Sequence, residues 1–350
     1  MTAGDTQATH RCDLVLGGGG IRGLAHIGAL ESLEDHGYEV ERVAGASAGA
    51  VLGAFIVAGL RAPQVAERFA ELDFRSFALA DVLARLSSKR GIGGIVDRLS
   101  KDRVDPLEWI REVLDAGGIR TFGDLRADAD DEPLERSYRL VVRCLDVVHR
   151  RVVRLPWDYP RYGLEPDEQP VAEAVRASMS IPFVYQPVTL GDPGTEAAGL
   201  LIDGGLTSGF PVSIFDRPDG AEPRWPTFGI RLLARERPQE GLPNDAATTR
   251  MILEALLDAS DLLEPLTTCD ERRTVRIDVS EVGALEVDID AGDEVVARGR
   301  SEMDAFLDTW DEEAYREECF GERIIRRGAG RYATAAATRP PADDGPARPS

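Results

Sequence analysis

The first sixty residues alternate between short apolar runs and glycine turns. Leu14-Val15-Leu16 is a continuous apolar run, and residues 40–44 form a second; each reads as a buried strand. Between them Leu24, Ile27, Leu30 and Leu33 recur at helical spacing and predict a helix over 24–36, ended by Gly37. Residues 48–60 predict a helix that is apolar all round and has to be covered on every side. Strand, helix, strand and helix at this spacing make a right-handed parallel unit. Residues 63–125 read as a helical insertion. Within it Asp105-Pro106-Leu107-Glu108 supplies a cap, a first-turn proline and a capping-box glutamate for a helix ending near Asp115. Paired strands are predicted at 138–145 and 151–155, and further strands at 184–190, 200–202, 227–233 and 274–279. Helices are predicted at 170–178, 245–263 and 294–310. The pattern is that of an α/β fold with a mainly parallel central sheet.

Both early strands run into glycine turns, where open α/β sheets place their sites. The first turn is Gly17-Gly18-Gly19-Gly20-Ile21-Arg22-Gly23. Its bare N–H groups can converge on one point and hold an oxyanion. The second, Gly45-Ala46-Ser47-Ala48-Gly49, has the G-x-S-x-G form that lifts a serine hydroxyl out of a sharp strand-to-helix turn. Donors for negative charge beside an exposed serine suggest acyl transfer through a serine ester. Two readings compete at the first turn, because Gly18-x-Gly20-x-x-Gly23 also fits a dinucleotide fingerprint, with Glu39 or Glu41 near the place of a ribose-binding acid. Arg22 could reinforce a negative charge or pair with an acid on the surface.

A base is harder to find. The histidines are His10, His26, His36 and His149. The first lies in a polar tail, His36 at a helix end and His149 in a predicted hairpin turn. His26, one turn beyond the glycines, reads as a packed or capping residue. An aspartate can act instead if burial raises its pKa. Asp203 ends an apolar strand and is followed by Gly204-Gly205, which leave the backbone free to turn; an ordinary Asp-Gly-Gly turn is the plainer reading of that tripeptide alone.

Gly18-Gly19-Gly20-Ile21-Arg22-Gly23, Gly45-Ala46-Ser47-Ala48-Gly49 and Asp203-Gly204-Gly205, in this order, resemble the bacterial patatin-like phospholipases. The flanking Leu24-Ala25-His26-Ile27-Gly28-Ala29-Leu30 and Ala177-Ser178-Met179-Ser180-Ile181-Pro182-Phe183 match as well. The likeness is strong over 14–60 and 171–212 and weak over 63–125 and beyond 238. It implies a three-layer α/β/α fold, hydrolysis of fatty-acyl esters of lipids or phospholipids, a Ser–Asp dyad without histidine, and neither metal nor other cofactor. It assigns Ser47 as nucleophile, Asp203 as proton acceptor, and Gly18, Gly19, Gly20 and Arg22 as the oxyanion site. Gly23, Gly45, Gly49, Gly204 and Gly205 shape the turns. The chain departs from the family at Gly209, where members often carry an asparagine. A catalytically silent lipid-binding relative is a rival reading, against which the retained serine, aspartate and glycines argue.

Composition narrows the partners. A net charge of -21 over 350 residues argues against nucleic acid and against bulk attraction to anionic lipid, so any membrane contact should be local. Residues 81–103 hold both lysines, Lys89 and Lys101, with Arg85, Arg90, Arg98 and Arg103 among apolar residues. They read as a membrane-touching flap or as a surface helix pair with one face on the core; Asp81, Asp97 and Asp102 dilute the charge. The four cysteines fit neither a zinc site nor a small disulfide framework, and Cys144 reads as a reduced core residue. Residues 1–11 are polar and contain no apolar stretch, so no signal peptide is expected, and the simplest location is cytoplasmic, with peripheral membrane contact. The expected organisation is a polar tail at 1–12, one catalytic domain at 13–327 carrying the insertion at 63–125, and a disordered tail at 328–350. No oligomeric state is implied.

Overall fold

The first strand begins earlier than its apolar run. β1 spans His10–Leu16, so His10, Arg11 and Cys12, which the sequence places in the tail, belong to the sheet. A 3₁₀ turn at Gly20–Leu24 leads into α1 (Ala25–Asp35), followed by β2 (Tyr38–Gly45) and α2 (Ala48–Val57). β1 and β2 pair in parallel from His10 opposite Tyr38 to Leu16 opposite Gly45. The computed structural model describes residues 10–71, 106–127, 133, 136–182, 184–207, 210–217, 219–234, 251–252, 255–256, 266–280, 282 and 292–321. The expectations for 81–103 and 328–350 lie outside these residues, as does most of the helix expected at 245–263.

The chain continues through α3 (Ala62–Ala70), α4 (Leu107–Ala116), β3 (Leu140–Asp146), β4 (Arg151–Leu155), α5 (Val171–Ser178), β5 (Val188–Leu190), β6 (Gly199–Asp203), β7 (Thr227–Leu233), β8 (Thr274–Asp278) and α6 (Gly292–Leu307). The strand expected at 184–190 is confined to its last three residues. Pro187 has no N–H to give a ladder, and Val184 and Tyr185 instead donate their N–H groups back to the Ile181 carbonyl.

The eight strands form one sheet in the order β5-β6-β3-β2-β1-β7-β8, with β4 also paired to β3. Its centre is parallel: β3, β2, β1, β7 and β8 run the same way. β4, β5 and β6 join by antiparallel pairing. Alternation sorts the strand side chains to two faces. Leu14, Leu16, Val43, Val142 and Cys144 point into a large core shared with α1 to α6. Val15, Ala44 and Val141 point to the opposite core, with Phe210, Val212, Ile214 and Phe215. The sheet and its flanking helices make the α/β/α arrangement predicted from the sequence. Cys12 and Cys144 are free thiols, each with 0% exposure.

Packing of β3 has a consequence for the site. β4 covers Val142 to Asp146 along one edge of β3. The other edge therefore has to take both remaining partners, β2 at Leu140 to Val142 and β6 at Cys144 to Asp146. β2 is parallel to β3 and β6 antiparallel, so their carboxyl ends meet head-on across Arg143.

Contacts divide the chain into Met1–Trp310 and Asp311–Ser350. All elements named so far lie in the first unit. In the second, Asp311 caps the helix Glu312–Arg316 by accepting the Ala314 N–H, and the rings of Tyr315 and Phe320 meet edge-on.

α1 and α6 cross at backbone contact. A Cβ on Gly28 would lie 1.9 Å from the Val296 carbonyl oxygen, and one on Gly299 1.9 Å from that of Ala25. A methyl at either position forces the helices apart. Gly28→Ala is expected to lower stability by about 2 kcal/mol or more, read as a lower denaturant midpoint with the unfolding slope unchanged.

Candidate active site

The serine elbow is a steric construction. β2 ends at Gly45 and α2 starts at Ala48, so the chain reverses over two residues. Ser47 takes φ 52° and ψ −124°, a conformation that costs a non-glycine residue about 1–3 kcal/mol. A Cβ on Gly45 would sit 2.3 Å from the Gly49 carbonyl oxygen, and one on Gly49 would sit 2.5 Å from that of Leu16. Only hydrogen fits at either place, which is why the motif spaces glycines two residues on each side of the serine.

The surrounding fold holds this turn. The Ser47 N–H donates to Ser178 Oγ at 2.9 Å, and Ser178 Oγ–H donates to the Arg143 carbonyl at 2.7 Å. Ser178 is the last residue of α5 and Arg143 lies mid-strand in β3. One buried hydroxyl thus ties the elbow to the strand beside it.

Asp203 arrives from the other direction. It ends β6 opposite Cys144, while Gly45 ends β2 opposite Val142. A Cβ on Gly204 would fall 2.0 Å from the Arg143 carbonyl oxygen, so the chain turns away hard against β3. Asp203 Oδ2 accepts the Ser47 Oγ–H at 2.8 Å, and Oδ1 accepts the Gly205 N–H at 2.6 Å. The aspartate is fully buried. Burial pushes its pKa from 3.8 up to about 7, against the opposing pull of the hydrogen bonds from Ser47 and Gly205.

The first glycine turn packs against both. A Cβ on Gly18 would lie 3.1 Å from Gly205 Cα and 3.5 Å from Ser47 Cβ, so all three motifs converge here. Gly20 has φ +57° and opens the 3₁₀ turn, and Gly23 backs onto Ala48. Among the described residues no acceptor takes the N–H of Gly18 or Gly19. Arg22 is buried at 5% exposure, which removes the reading of a surface cation; its Nε–H donates to the Val282 carbonyl at 2.6 Å. Arg22 lines a cleft with Gly18, Gly19, Arg143, Thr207 and Phe210.

His26 proves to be a packed residue. Its Nε2–H donates to the Gly17 carbonyl at 2.9 Å, steadying the glycine turn from below, and burial lowers its pKa to about 4, so it is neutral. His36 meets the Ser32 carbonyl and His149 meets Asp146; neither contacts Ser47. The dinucleotide reading loses its acid. Glu39 and Glu41 lie in the amino-terminal half of β2, where Glu41 pairs with Arg11, at the end of the strand away from the glycine turns. Gly209 lies outside the described residues.

Three contributors escaped the sequence reading. Ser178 stood inside a matching stretch but carried no signal of its partners. Arg143 and Thr207 join through Arg143 Nη2, which donates to Thr207 Oγ1 at 2.9 Å, and Thr207 in turn donates to the Gly204 carbonyl at 2.7 Å. Neither sits in a recognisable motif.

The model of the patatin-like phospholipase family matches residues 14–216. YqhO of Bacillus subtilis is 33% identical over 311 residues, covering 85% of this chain and 98% of that protein. The lysophospholipase NTE1 of Eremothecium gossypii is 25% identical over 201 residues, which is 57% of this chain and 11% of that much longer protein. Among solved structures, VipD from Legionella pneumophila aligns with a TM-score of 0.49 at 16% identity, covering 87% of this chain and 68% of that one. Matched over more than half its length by the family model and aligned with nearly all of YqhO, the chain belongs to the patatin-like phospholipase family.

Proposed function

We propose that this protein is a lipid acyl hydrolase in which Ser47 is the nucleophile and Asp203 the base. The observation that carries the proposal is the 2.8 Å hydrogen bond from Ser47 Oγ to a fully buried carboxylate beside a turn of bare glycine amides. Asp203 takes the Ser47 proton as Oγ attacks the ester carbonyl carbon. Negative charge grows on the carbonyl oxygen, where the N–H groups of Gly18 and Gly19 and the positive end of α2 stabilise it. The tetrahedral species collapses, the departing alcohol takes the proton from Asp203, and an acyl-serine remains. Asp203 then deprotonates water, which attacks the same carbon. The fatty acid leaves and Ser47 recovers its proton.

Burial of Asp203 serves this sequence. A carboxylate of pKa near 4 is a poor base at neutral pH, whereas one near 7 combines an ionised fraction with real proton affinity. The same feature costs stability. The folded protein holds the Asp203 proton more tightly than the unfolded chain, whose carboxyl has its ordinary value of 3.8. The contribution of this group is therefore greatest below about pH 4, declines as pH rises toward 7, and stays low above it.

Ser47→Ala is expected to abolish ester hydrolysis and labelling by a fluorophosphonate probe while retaining the parental circular-dichroism spectrum; full activity in that variant removes Ser47 from the mechanism. Wild-type kcat/KM should fall about tenfold per pH unit below about 7, as the base is protonated. A flat profile from pH 5 to 8 contradicts Asp203 as the base. Asp203→Asn should lose activity by several orders of magnitude. It should raise the melting temperature at pH 8 more than at pH 4, because only at the higher pH does it remove a buried charge.

A further inference from the structure

Three of the large apolar side chains exposed among the described residues lie together, at Val147, Val148 and Val152, with exposures of 38%, 57% and 38%. Val147 and Val148 lie in the turn at the tip of the β3–β4 hairpin, and Val152 stands just below it on β4, opposite Leu145. Residues 147–152 read Val-Val-His-Arg-Arg-Val, two arginines and no acid in a chain of net charge -21. Arg150 adopts φ 53°, and Ser47 is the other non-glycine residue with positive φ among those described. Glycine takes such a turn conformation without strain. The chain instead keeps an exposed cation there.

The tip stands at the end of the sheet that holds the site. Gly45 ends β2 opposite Val142, and β3 runs on in the same direction to Asp146. Four more residues of strand carry the tip about 13 Å beyond that level, and about 7–10 Å beyond Asp203, which is level with Cys144. It is also firmly held. Asp146, fully buried, accepts the N–H groups of Val148 and His149, His149 Nδ1–H at 2.6 Å and the Tyr162 hydroxyl at 2.8 Å. His149 Nε2–H meets the Glu196 carbonyl at 3.1 Å. Arg154, further down β4, pairs with Asp158, and Arg151 lies over the Tyr162 ring with its Nε 3.9 Å from the buried Asp146 carboxylate, so the charge offered outward at the tip is that of Arg150.

Exposed valines beside an exposed arginine suit the boundary of a bilayer, where the valines enter among acyl chains and the Arg150 guanidinium meets a lipid phosphate. No helix among the described residues is long and apolar enough to cross a membrane. We propose that the tip of the β3–β4 hairpin is the surface by which this protein docks on an anionic lipid bilayer, bringing that bilayer beside Ser47 and Asp203. The proposal takes its purpose from the lipid-hydrolase reading, but docking is measured without turnover.

The test uses the full chain carrying Ser47→Ala, co-sedimented with vesicles of phosphatidylglycerol and phosphatidylcholine. Val147→Asp with Val148→Asp should weaken binding about tenfold or more. Arg150→Gly should weaken it about fivefold, and only when phosphatidylglycerol is present. Because Arg150→Gly also relieves a positive φ, its melting temperature should hold or rise, which separates lost docking from lost folding. With Ser47 intact, the same variants should hydrolyse a water-soluble short-chain ester at the parental rate and vesicle lipid more slowly. Unchanged co-sedimentation in both variants overturns the proposal. So does a parent that ignores vesicles but self-associates through the tip in light scattering. A parent that docks through the tip yet hydrolyses neither ester leaves the docking surface standing and removes the hydrolase reading.

Discussion

One edge of β3 carries two strands that run in opposite directions, and the meeting of their carboxyl ends at Arg143 decides the rest of the site. Gly45 is paired with Val142 and Asp203 with Cys144. Backbone ladders are rigid and their register is discrete, so a serine two residues past one strand end and an aspartate at the other have little freedom to separate. The Arg143 carbonyl between them accepts the Ser178 hydroxyl that holds the elbow. The sheet thereby positions two side chains 156 residues apart to hydrogen-bond distance.

That placement creates an electrostatic problem, and the protein leaves it unresolved in a useful way. Asp203 is fully buried with two hydrogen-bond donors, and no cation is among the causes that move its pKa. A salt bridge would have held the group ionised at the expense of its basicity. Arg143 and Arg22 line the adjacent cleft without forming that pair. Strain at Ser47 belongs to the same design, since the close-packed glycines and the Ser178 hydroxyl hold a backbone conformation that serine would not choose.

Several glycines of the three motifs share one physical cause. Gly23, Gly45, Gly49 and Gly204 mark places where backbone passes so close to backbone, or to a neighbouring Cβ, that a side chain has no room. Gly18 faces both Ser47 and Gly205, and Gly204 faces Arg143. The α1–α6 crossing at Gly28 and Gly299 uses the same device away from the site, which shows that close approach alone does not make a functional glycine.

Local chemistry made the motifs legible in the chain. A serine between spaced glycines, a glycine run after a strand and an aspartate before two glycines each follow from sterics within a few residues, and so do the helices and strands of 14–60. Other features depended on partners distant in sequence. His10 joins β1 because β2 offers it a ladder, and residues 184–187 stay out of β5 because Pro187 cannot complete one. Ser178 and Arg143 looked ordinary because their importance lies in backbone groups brought to them by the sheet. The pKa of Asp203 and the exposure of the valines at 147–152 are likewise properties of what surrounds a residue. The sequence by itself determined which turns could form and which groups could react. The tertiary structure alone decided that they meet, because strand register and burial are set by contacts between segments that no local pattern encodes.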